Sequence, residues 1–75
     1  MSIARVVEIS STSEKGFEDA IQQGIARASK TLRGIRGAWV KEQEVSVQAD
    51  KIVAYEVILK VTFVLEDTGP GGDRA

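Results

Sequence analysis

The chain contains no cysteine and no histidine. Without cysteine there is neither a disulfide framework nor a thiolate metal site, and without histidine the Ser-His-Asp triads and the common zinc sites go too. Only carboxylates, lysine, tyrosine and hydroxyl groups are left for chemistry, so the chain reads as a binding or structural protein and not as an enzyme. It also lacks any apolar run near the ~18 residues that a membrane helix needs. Met1-Ser2-Ile3-Ala4-Arg5 has no apolar core of a signal peptide, and the expected location is cytoplasmic. An excess of charge of one sign is missing as well. Ten basic residues against eleven acidic ones give a net charge of -1, which offers no broad attraction for nucleic acid or anionic lipid. The one basic cluster, Lys30, Arg33 and Arg36, falls at the end of a helical pattern, where cations offset the negative pole of the helix dipole.

What is present describes one small domain: 75 residues, 43% hydrophobic, too short to divide into two. Between Glu14 and Arg33 the apolar residues Phe17, Ala20, Ile21, Gly24, Ile25, Ala28 and Leu32 recur at three-four spacing, which predicts a helix with one apolar stripe. Ser13 is placed to cap its start and Gly34 to end it in a left-handed turn. Gly16 and Gly24 weaken a helix by up to about 1 kcal/mol each relative to alanine, so a close approach by a neighbouring strand or chain is expected there.

The remainder reads as strand. Ile3 to Ser10 is β-branched and half alternating, and Ser10-Ser11-Thr12-Ser13 reads as the loop that follows. From Ile35 to Gln48 the period is two, but Ala38 and Val40 lie on one parity and Val45 and Val47 on the other, which predicts a bulge near Glu42 to Glu44. Gln48-Ala49-Asp50-Lys51 is the expected turn. In Ile52 to Glu66 the odd positions Val53, Tyr55, Val57, Leu59, Val61, Phe63 and Leu65 form an apolar row suited to lie under the helix. The even positions Ile52, Ala54, Glu56, Ile58, Lys60, Thr62 and Val64 form a mixed face. One helix covers only one side of a three-stranded sheet, so this mixed face is expected to be an interface in a self-assembled oligomer. Residues 1–66 form the expected domain, and residues 67–75, without apolar periodicity, a flexible C-terminal tail.

Trp39 is the only tryptophan. With Gly37 two residues back on the same strand face, it leaves a slot for a planar ring. If Val47 pairs with Ile52 across the turn, Gln43 faces Glu56, and Trp39 shares the mixed face. Gly34-Ile35-Arg36-Gly37 matches a backbone-gripping loop of one class of RNA-binding domain, but it joins a helix to a strand where that loop joins two helices. The pairs Glu42 with Glu44 and Glu66 with Asp67 can offer oxygen ligands to a hard cation, though solvated charge explains them as well, and no metal site is assigned.

The order strand, helix, strand, strand, with Glu8-Ile9-Ser10-Ser11-Thr12-Ser13-Glu14, Arg27-Ala28-Ser29-Lys30-Thr31-Leu32-Arg33 and Lys60-Val61-Thr62-Phe63, resembles the dodecins from about Ile3 to Asp67. The resemblance implies an α+β, βαββ fold, a three-stranded antiparallel sheet wrapped around one helix, assembled as a hollow homododecamer. It also implies storage or sequestration of a flavin, riboflavin or FMN, stacked between tryptophans of symmetry-related chains. Aligned on Val40, the stacking tryptophan of flavin-binding members falls on Gly37, and Trp39 stands two residues further on, about 7 Å along the strand. The flavin-edge glutamine of the family falls on Glu56, which accepts but does not donate. Gly37, Trp39 and Glu56 are thus the expected flavin-site residues. The stretch Ile35 to Glu44 is also similar to the dodecin-like branch without the stacking tryptophan, for which calcium is the implied ligand and a flavin-free shell the alternative role.

Overall fold

The computed structural model describes residues 3–65. The expected tail at 67–75 lies outside the described residues, as do Glu66 and Asp67. Strand β1 is Ile3–Ser13, helix α1 Phe17–Ala28, strand β2 Ile35–Gln48 and strand β3 Lys51–Leu65. The sheet order is β1-β3-β2, antiparallel throughout. The expected α+β, βαββ architecture is therefore present, with the apolar third strand at the centre of the sheet.

The odd row of β3 is the floor of the core. Val57, Leu59 and Val61 are fully buried and Phe63 nearly so, with Ala20 above them and Ile9, Phe17, Ile21, Ile25, Leu32 and Ile35 packed around. Fully burying each of these aliphatic side chains contributes about 1.5–3 kcal/mol. The row does not stay buried at its ends, because a helix of 12 residues spans about 18 Å against about 50 Å for a strand of 15. Val53 and Leu65 project past the helix and are exposed. Tyr55 marks one limit, where its ring meets Phe17 edge-on at 5.1 Å between centroids.

The helix is shorter than its apolar pattern. Glu14 and Lys15 are outside it, and Gly16 is its N-cap residue. Ser13 ends β1 and does not cap the helix; it is buried, its Oγ accepts from the Lys15 amide at 2.9 Å and donates to Asp19 Oδ2 at 2.6 Å. At the other end the Ser29 and Thr31 hydroxyls donate to the carbonyls of Ala26 and Ala28. Such local bonds compete with continued helix, and the chain turns out of it through hydrogen bonds donated by the Lys30 amide to the Arg27 carbonyl and by the Thr31 amide to the Ala28 carbonyl. Gly34 takes the left-handed conformation, φ 74°, but at the start of β2, six residues after Ala28. Its carbonyl accepts from the Val64 amide at 3.0 Å.

Of the two glycines expected to permit close approach, only Gly24 does so. A Cβ there would meet Ser11 Cβ at 3.1 Å and Leu59 Cδ1 at 3.3 Å, whereas one at Gly16 would meet nothing within 4 Å. Ser11 belongs to the run expected to be a loop. In the structure Ser10, Ser11, Thr12 and Ser13 extend β1, paired with Ile58, Val57, Glu56 and Tyr55. Small residues on both sides let α1 lie close to β1.

The β2–β3 ladder slips three times, between Ile35 and Gly37, Val40 and Glu42, and Ser46 and Val47. The middle slip makes Lys41 the extra residue, one position ahead of the expected bulge, and it accounts for the change of parity in β2. The last slip leaves Val53 without a partner, so Val47 pairs with Ile52 as expected but Gln43 faces Val57 and Glu44 faces Glu56. The expected pairing of Gln43 with Glu56 fails because of that second extra residue. Ala49 and Asp50 form the turn, both at positive φ, 51° and 62°.

Candidate functional site

Directly paired residues point to the same side of a sheet, so the register maps the face opposite the helix. From one end to the other it reads Ala4 and Val64, then Val6, Thr62 and Gly37, then Glu8, Lys60 and Trp39, then Ser10, Ile58 and Glu42, then Thr12, Glu56 and Glu44. Among the described residues, no element packs over this face. On the helix side α1 packs on β1 and β3, which leaves Val40 in the middle of β2 exposed there too, while Ile35 and Val45 are half-buried.

Trp39 stands out on this surface, 65% exposed. Gly37 lies one row away on the same face, and a Cβ at Gly37 would meet nothing within 4 Å. The space beside Gly37, where the slot is expected, is thus open within one chain. Glu56 is half-buried on the same face, but four residues along β3 from the Trp39 partner Lys60, about 13 Å at the strand rise. One chain brings Gly37 and Trp39 together and holds Glu56 apart from both.

Around Glu56 the surface is acidic. Glu42, Gln43, Glu44, Glu56 and Ile58 line a shallow concavity of about 530 Å³. Glu44 and Glu56 face each other across the ladder, a placement that is destabilising for like charges. Within one chain, among the described residues, no group of three metal-ligating side chains is assembled. Around Trp39 the charge balance differs. Lys41 Nζ lies 3.2 and 3.4 Å from the two carboxylate oxygens of Glu8, bridging over the central strand from β2 to β1. That bridge exists because the bulge displaces Lys41 from the regular ladder. It and the direct pairing of Lys60 with Trp39 were not legible beforehand, since both depend on a register set by the bulges.

A protein-family model described as Dodecin matches residues 3–66. The chain belongs to the dodecin family. It is 42% identical over 66 residues to the dodecin of Thermus thermophilus, covering 88% of this chain and 96% of that protein. A solved Thermus thermophilus structure superposes with a TM-score of 0.85 at 41% identity, covering 91% of this chain and all of that one. The chain is also 31% identical over 70 residues to the calcium dodecin of Mycobacterium tuberculosis, covering 93% of this chain and 99% of that protein. These similarities extend over the whole βαββ unit, so the dodecin sheet and helix of this chain are common to both relatives. Among the described residues, no helix of this dodecin is long and apolar enough to cross a membrane.

Proposed function

We propose that the chain is a flavin-binding storage or sequestration module of dodecin type, acting as a closed homododecamer, with the isoalloxazine ring of riboflavin or FMN stacked on Trp39 at a junction between copies. The observation that carries this is the 65% exposure of Trp39 beside Gly37 on an uncovered sheet face. Aromatic stacking contributes about 0.5–1.5 kcal/mol beyond area burial, and cyclic symmetry repeats it at every equivalent junction. Glu56, 13 Å away by the strand rise, reaches such a ring from a neighbouring copy, where its carboxylate accepts from the imide but has no proton to return. Fluorescence titration with riboflavin tests the assignment. Trp39→Ala should weaken binding about threefold to tenfold with the oligomer intact, as loss of one stack implies. Glu56→Gln should strengthen it, since a neutral amide avoids the cost of burying a charge beside a neutral ligand. If neither the native chain nor Glu56→Gln quenches riboflavin saturably, the two-residue displacement of the tryptophan has removed the flavin site.

A second reading is supported by the opposed Glu44 and Glu56 with Glu42 beside them. Carboxylate oxygens are calcium ligands, and the resemblance to the calcium dodecin gives the same reading from another side. Among the described residues, one chain assembles no group of three ligands, so a calcium ion on Glu42, Glu44 and Glu56 would be held by carboxylates of more than one copy in a flavin-free shell. Melting with calcium and with a chelator separates the readings: a calcium-dependent rise in Tm that Glu44→Gln removes favours the shell.

A further inference from the structure

On the helix side of the sheet a groove of about 490 Å³ runs between α1 and the edge strand β1. Gly24 and Ala28 on α1 are too small to reach out over β1, so a hollow is left beside the contact of Gly24 with Ser11. Its volume lies in the range of small-molecule pockets, about 300–1,000 Å³. Val7, Ile9 and Leu32 line it with aliphatic surface, and Arg27 lines it with charge. Val7, Ile9 and Ser11 are paired with Val61, Leu59 and Val57 of the core row, so the groove follows alternate residues of β1, about 13 Å from Val7 to Ser11 at the strand rise. Arg5, paired with Phe63, continues the same side one row past Val7. The helix side of β1 carries no carboxylate, and among the described residues neither Arg5 nor Arg27 is in an ion pair. Asp19, one turn before Gln23 on α1, already accepts from Ser13 and Gln23. Glu8 lies on the opposite side of the sheet, held by Lys41. An aliphatic trough with guanidinium groups and no unengaged acid along it is complementary to an amphiphile with an alkyl chain and a carboxylate, which a guanidinium meets with two parallel hydrogen bonds.

We propose that this groove binds a medium-chain fatty acid, its alkyl chain along Val7, Ile9 and Leu32 and its carboxylate on Arg27, with Arg5 adding to the positive field. A methylene fully buried against such walls raises affinity about fourfold, and one laid in a half-open groove about twofold. The exposed charge pair with Arg27 adds about twofold to fivefold, and salt screens it. Trp39 lies on the other face of the sheet, so this site is separate from the one proposed for a flavin.

The test is isothermal titration calorimetry of the full-length oligomer with octanoate, decanoate and decanol, each below its micellar concentration. Decanoate should bind saturably, and about fourfold more tightly than octanoate for its two further methylenes. In Arg27→Met the decanoate affinity should fall about twofold to fivefold while decanol binding stays the same, and raised salt should reproduce that loss in the native chain. Where Arg27→Met fails to assemble, Arg5→Met takes its place, with a smaller loss of the same sign. Native oligomers that bind no decanoate, the result expected if a second copy is seated in the groove, overturn the inference. So does a decanoate affinity that neither arginine substitution lowers. Riboflavin titrated with and without decanoate should give the same curve, and competition between the two would place decanoate at the Trp39 face and overturn the assignment to the groove.

Discussion

Two glycines of similar appearance in the sequence have opposite tolerances. At Gly24 an added methyl group has to displace Ser11 Cβ, fixed to a paired strand, or the fully buried Leu59. Gly24→Ala should therefore lower stability by about 1 kcal/mol, because overpacking outweighs the gain in helix propensity. Gly16, an N-cap residue with open space around it, should accept serine with a gain of a few tenths of a kcal/mol from a new cap bond. Urea denaturation of both variants checks the pair. Gly34→Ala is the third case: its φ of 74° is left-handed and its Cβ would meet the Val64 carbonyl oxygen at 3.1 Å, a loss of about 1–2 kcal/mol. The left-handed turn at Gly34 was legible because few other residues tolerate it, while the difference between Gly16 and Gly24 was not, since composition does not say which glycine meets a strand.

At the scale of elements, the central strand was the most readable. An apolar row of period two identifies the face beneath a helix without knowledge of any partner, and Val57, Leu59, Val61 and Phe63 are the result. The helix and β1 were read less well, for one reason: serine and threonine runs suit both a loop and a short-range contact. Ser10 to Ser13 extend a strand and make room for Gly24, whereas Ser29 and Thr31 end a helix by bonding to its carbonyls. The candidate site suffered most, because each bulge moves the cross-strand partner by one and the number of bulges has no local signature. The hairpin turn offers a direct test. Ala49 and Asp50 both hold positive φ, which asparagine and glycine adopt more easily in two-residue turns. Replacing them with Asn-Gly should raise stability by about 1 kcal/mol, read as a higher Tm with unchanged far-UV circular dichroism.

For the whole molecule the decisive feature is coverage. One short helix lies on two of three strands, and the exposed apolar side chains Ile3, Val6, Trp39, Val40, Val47, Ile52, Val53 and Leu65 are distributed over what is left. A lone chain of this size gains little net stability from its own core. Sedimentation should show a closed homododecamer at micromolar concentration, and a stable folded monomer would dismiss the proposed assembly and the shared site. Val6→Glu, on the uncovered face, should shift the distribution to smaller species. If the native size persists in that variant, the contacts between copies lie elsewhere.

The bulge at Lys41 bears on which lengths of chain can descend from this one. Lys41 is supernumerary in the ladder, so its deletion would join Val40 to Glu42 opposite Leu59 and Ile58 and leave every later side chain on its present side. The loss would be one exposed ion pair, worth about 0–1 kcal/mol. An inserted residue has no such reserve to draw on. It would turn Gln43 outward and Glu44 towards the helix side, reversing the rest of β2. Length variation along this strand should accordingly run one way, with shortening by one tolerated and lengthening by one selected against.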